Sequence, residues 1–128
     1  MLGVKKYEKS YVDQCRAATD ARVAAYSKLK SPGDFEPVFF NTMVLALDHL
    51  FVHRLRGVEG KDGNALNEVR VLAGSIAENE SVMASDTQIK FKNGTITGCE
   101  AGDSIALSES AFRRLADAFF AEIEARFG

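Results

Sequence analysis

The sequence predicts a mainly α fold: a four-helix bundle-like single domain over residues 1–128, with a small β-hairpin between its third and fourth helices. Three observations carry this reading. Four segments repeat apolar residues at three- and four-residue spacing. Turn-forming residues separate them. One stretch between the last two segments alternates instead, and it runs into Asn93-Gly94. The chain has 128 residues, 46% of them hydrophobic, enough to bury a core without metals or disulfides as staples.

The first helix is expected over about 11 to 30, a run rich in Ala, Lys and Arg and free of Gly and Pro. Its inward stripe is Val12, Cys15, Thr19, Val23, Tyr26 and Leu29. Ser31-Pro32-Gly33-Asp34 punctuates the chain, with Asp34 as N-cap and Pro37 in the following first turn, where a missing N–H costs little. A second helix is expected over about 35 to 56. Its apolar residues form three stripes: Phe39, Met43, Ala46 and Leu50; Val38, Thr42, Leu45 and Val52; and Phe40, Val44, Leu47 and Phe51. A helix apolar nearly all round is expected at the centre of its domain, covered on several sides.

Gly57 to Gly63 reads as a polar connection. The third helix, about 64 to 79, has Leu66, Val69, Leu72, Ala73 and Ile76 at helical spacing, and Gly74 is expected at a close helix contact. In the hairpin, Gln88–Lys92 alternates, Asn93-Gly94 turns, and Thr95-Ile96-Thr97 returns. The last helix starts at Ser108 as N-cap, with Leu107 and Phe112 as a hydrophobic staple. Its stripe is Phe112, Leu115, Phe119, Ile123 and Phe127. Glu109–Arg113 and Glu122–Arg126 form exposed i,i+4 pairs.

Sixteen Lys and Arg against 18 Asp and Glu leave a net charge of -2, which gives no support to a general nucleic-acid or anionic-membrane binder. Cys15 and Cys99 lack a Cys-x-x-Cys context, so no zinc ribbon, redox pair or disulfide scaffold is signalled. The opening residues become charged too early for a secretory signal, and Pro37–Leu47 is too short for a membrane span. A cytoplasmic location is the default expectation. Residues 1–9, with Lys5, Lys6 and Lys9 around Tyr7 and Glu8, read as a flexible, solvated start.

The segment from His49 to Arg70 is the expected functional surface of a non-enzymatic binding or interaction protein, with a homodimer as a candidate assembly. Its candidate ligand-binding residues are His49, His53, Arg54, Arg56, Glu59, Lys61, Asp62 and Asn64. Polar loops held on rigid helices are where function tends to sit. The bland alternative is an interhelical turn held by ion pairs and an Asn or Asp cap. His49 and His53 are four apart on one helix, a spacing that lets two imidazoles share a metal. Further ligands would have to come from Asp13, Asp20, Glu59, Asp62 or Glu68, and His-Glu-x-x-His fails because Leu50 follows His49. No Walker or EF-hand pattern is present, and no cofactor is indicated. Nucleic-acid contact through Arg54, Arg56, Lys61 and Arg70 is a weaker alternative. Asp48, alone among apolar residues, either takes a cationic partner or lies on a narrow solvent strip with Asn41. Cys15 has no nucleophile context.

The stretch FEPVFFNTMVLALDHLFVHRLRGVEGKDGNALNEVRVL, with the end GDSIALSESAFRRLADAFFAEIEARF, resembles a group of small uncharacterised bacterial proteins. The resemblance covers most of the chain after Asp34. It implies a stand-alone protein and carries no activity, cofactor or site residue.

Overall fold

The computed structural model describes residues 3–30, 33–85, 89–92 and 94–128. Its helices are α1 (Lys9–Ser27), α2 (Phe35–Leu50), α3 (Arg56–Glu59), α4 (Ala65–Glu78) and α5 (Glu109–Phe127). α5 carries the longest buried stripe: Phe112, Leu115, Phe119, Ile123 and Phe127 are all within 1% of full burial. Ser108 accepts a hydrogen bond from Ala111 N–H at its start, and Leu107 and Phe112 are both buried. Around α5 pack α1, α2, α3 and α4, and α2 also packs along α4. The buried apolar residues of the four longer helices form one cluster, in which the Phe40 and Phe112 rings lie 5.6 Å apart.

α2 departs from the sequence expectation in length and in surroundings. It stops at Leu50 rather than near residue 56. Phe51 turns into the core, and Val4 pairs with the chain beyond it: Val4 N–H donates to His53 O and Leu55 N–H donates to Val4 O. Those bonds replace the helical ones. The helix is therefore about 24 Å long at 1.5 Å per residue. It buries one face only, Phe40, Met43, Val44 and Leu47, which α4 and α5 cover. Of the Val38 stripe, Val38, Thr42 and Val52 stay exposed, while Leu45 packs half-buried against the core. Asp34 occupies the N-cap position with helical dihedrals and makes no side-chain cap bond. In α1, Val12, Cys15, Thr19 and Val23 face inward, whereas Leu29 lies past the helix end and is exposed.

Asn64 caps α4 by accepting Asn67 N–H at 3.0 Å. Gly74 marks no helix contact, since a Cβ there would meet nothing within 4 Å. The expected hairpin is not seen among the described residues, whose only β pairings are isolated bridges, Val4–Arg54, Asp62–Lys90 and Val82–Ser104. Gln88 and Asn93 of that expectation lie outside the described residues, as do Ser31 and Pro32 of the earlier turn. Glu68 explains why Thr95–Thr97 does not return as a strand. Its buried carboxylate takes the N–H groups of Ile96 and Thr97 and the Thr97 hydroxyl, at 2.7, 2.9 and 2.8 Å. These donors would otherwise serve a ladder. Lys90 bridges to Asp62 instead, and Gly63 permits this contact because a Cβ there would sit 2.6 Å from Lys90 O. No helix among the described residues is long and apolar enough to cross a membrane.

Candidate functional site

The segment between α2 and α4 folds inward around Glu59, which has no exposed surface. Arg54, only 3% exposed, donates through Nε to Glu59 and through Nη2 to Asp48 Oδ1 at 2.9 Å. Its other N–H groups reach Phe51 O and Leu66 O, and its guanidinium lies 5.4 Å from the Phe119 ring centroid. Arg70 grips both Glu59 oxygens, at 2.8 and 3.1 Å. Arg56 adds a third guanidinium to the same carboxylate and a bond to Asn67 Oδ1. The backbone is tied as well. Asn64 and Arg126 donate to Glu59 O, and Asn67 Nδ2 donates to Gly60 O and Asp62 O. Arg126 also holds both Asp62 oxygens.

Burial pushes the Glu59 carboxyl up, but the Arg70 hydrogen bonds and the nearby Arg54 charge outweigh it and hold the group below its ordinary value. Asp62 is also held low, chiefly by Arg126. Arginine keeps its charge throughout the accessible pH range. A carboxylate locked ionised among permanent cations is a poor proton-transfer group. Four guanidinia, those of Arg54, Arg56, Arg70 and Arg126, meet the carboxylates of Asp48, Glu59, Asp62 and Glu122. The cluster therefore offers no excess charge to an ion. It ties α2, α3, α4 and α5 together at one end.

Of the sequence-derived residues, Arg54, Arg56, Glu59, Asp62 and Asn64 meet in this cluster, while His49, His53 and Lys61 do not. Asp48 pairs with Arg54 rather than sharing a solvent strip with Asn41, whose amide bonds Ile105 O and Leu107 N–H. Asn67 completes the network without any sequence signal, and Arg126 was legible only as the i,i+4 partner of Glu122, since its further reach spans 64 positions to Asp62. Arg54 is buried and Arg56 and Arg70 are committed to Glu59, so the three arginines do not form an exposed nucleic-acid face with Lys61. Lys61 instead lines a cleft of about 450 Å³ with Lys90 and Lys92.

His49 and His53 are exposed and line a pocket of about 260 Å³ with Val4, Tyr7, Tyr11, Leu50 and Val52. Among the described residues no group of three His, Cys, Asp or Glu side chains is placed to hold a metal ion. Glu59, Asp62 and Glu68 are committed elsewhere, and Asp13 pairs with Lys9. Tyr11 Oη donates to Leu50 O, and burial pushes its phenol up to about 12. Cys15 and Cys99 are buried free thiols, both raised by burial, which disfavours the nucleophilic thiolate.

A further surface escapes the sequence reading. On α2, opposite the buried face, Phe35 and Val38 are 41% and 59% exposed, and Thr42 and His49 are exposed with them. Leu45 lies half-buried among these residues, and Val52 continues the face beyond the helix at 45% exposure. Within the helix the spacing 35, 38, 42, 45, 49 alternates three and four, the pattern of a helix seam. α1 flanks one side, where Tyr26 stacks on Phe39 at 4.9 Å. The 105–107 segment flanks the other through Asn41. The signal was in the sequence as the Val38 stripe; what the sequence lacked was the side left largely exposed. No family model, curated protein or solved structure matches the chain.

Proposed function

We propose that this protein is a non-enzymatic interaction domain that presents the outward face of α2 to a helix of another polypeptide. The single observation carrying this reading is the row Phe35, Val38 and Leu45 at seam spacing on the helix, continued by Val52 in the turn that follows, with Val38 and Val52 the most exposed at 59% and 45%. Isolated exposed apolar residues are ordinary, but an aligned row of them on a rigid helix is a docking feature. In this reading the four longer helices are a bundle-like scaffold, and the arginine–carboxylate cluster keeps that scaffold stiff. α2 contains no Lys or Arg, so it lacks the basic face by which surface-lying helices grip anionic membranes.

The test is fluorescence anisotropy with a labelled, stapled helical peptide bearing leucines at three-four spacing. Saturable binding to the wild type and its loss in Val38→Asp, at unchanged far-ultraviolet circular dichroism, is the expected result. Absence of binding, or equal binding by the variant, would overturn the reading.

A further inference from the structure

Resting on that interaction reading, we infer that the helix docked on α2 is α2 of a second copy of this chain, running antiparallel, with Phe35 of each copy seated in the pocket beside Val52 of the other. The two ends of the face are a projection and a recess. Phe35 lies at the beginning of the helix, 41% exposed, with one side of its ring against Tyr26 and Phe39 at 6.4 and 6.2 Å. At the far end Tyr7, Tyr11, His49, Val52 and His53 surround the pocket of about 260 Å³. A cavity of about 150 Å³ already accommodates benzene, so the recess has room for a phenyl ring.

A two-fold axis crossing α2 near residues 43 and 44 sets Val38 against His49 and Thr42 against Leu45 along the helices, and brings Phe35 to the turn that carries Val52. This is the pairing of unlike seam positions expected for antiparallel helices. One such operation fills both recesses with both projections, as a self-complementary interface requires. A parallel arrangement would set projection on projection.

One face of a helix about 24 Å long covers less than the roughly 800 Å² per partner of a standard interface, the size class of transient contacts, so the dimer is expected to form in the micromolar range or above.

The chain has no tryptophan, so Phe35→Trp gives a probe at the projection itself. Light scattering over a concentration series is expected to show the mass rising towards double the monomer. Over the same range the indole emission of this variant moves to shorter wavelength as the ring leaves water. Placing Val52→Glu in the same chain should block the recess and abolish both changes, while Val38→Asp weakens association about tenfold or more. Circular dichroism confirms that each variant is folded. Constant monomer mass would overturn the second copy as occupant, and saturable binding of the stapled peptide would then leave the interaction reading standing. A doubled mass without an emission shift places the interface on another face and overturns the proposed pairing.

Discussion

The ion-pair cluster around Glu59 and the outward face of α2 invert the usual relation between polarity and position. The cluster draws on a charge-dense segment of the chain, yet Arg54 and Glu59 lie almost fully out of water. The α2 face belongs to the most apolar helix, yet Val38 keeps 59% of its surface exposed. The difference lies in partners. A charge can be buried when its hydrogen-bonding groups are met, and Glu59 is met by three guanidinia. An apolar side chain is buried only if the fold has an element to place over it. α4 and α5 cover one face of α2, while on the other Tyr26 reaches Phe35 and Phe39, and Val38 and Thr42 stay exposed.

The most disruptive way to break this comparison is Glu59→Leu. It leaves the buried Arg54 with only Asp48 as a counter-charge and frees Arg56 and Arg70. Loss of one partner from a buried pair costs about 3–5 kcal/mol. Urea denaturation is the measurement, and a cost below about 1 kcal/mol would show that the cluster does not hold the helices together.

Acid probes the same cluster. The folded Glu59 carboxyl titrates below its unfolded value, so its contribution is fully present above the ordinary glutamate range, about pH 4.3. It is lost as the pH falls through the folded value. Denaturation midpoints measured from pH 6 down to pH 2 should therefore decline on the acid side for the wild type. Glu59→Leu should show a shallower decline.

Smaller in effect is Glu68→Ala, which removes the acceptor of the Ile96 and Thr97 N–H groups. Leaving such donors unmet costs about 1–3 kcal/mol. Hydrogen exchange should locate the loss of protection at residues 95–97, with α5 retaining its protection. Smallest is Val38→Asp. At this exposed site the fold is expected to lose no more than about 0.5 kcal/mol, although binding through the face is lost.

How much of this was legible depended on whether each residue's partner was near it in sequence. α5 was fully readable because Ser108, the Leu107–Phe112 staple and the five-residue stripe are local signals. The Asn64 cap and the ion-paired turn were readable as the plainer meaning of the 53–70 segment. Three features were not. The end of α2 at Leu50 depends on Val4, far away in the chain, taking the bonds of His53 and Leu55. The missing hairpin depends on Glu68 capturing Ile96 and Thr97. The exposure of Val38 and Thr42 depends on which neighbours a helix acquires, and periodicity shows that a face is apolar without showing what lies opposite it.

Sedimentation of the wild type and Val38→Asp, side by side over a concentration series, tests most directly whether the α2 face is an interface. The expected result is a rising sedimentation coefficient for the wild type and a rise displaced to about tenfold higher concentration or more for the variant, with equal urea midpoints for the two measured at monomer concentrations. Identical sedimentation of the two proteins, or a Val38→Asp variant as unstable as Glu59→Leu, would contradict the account.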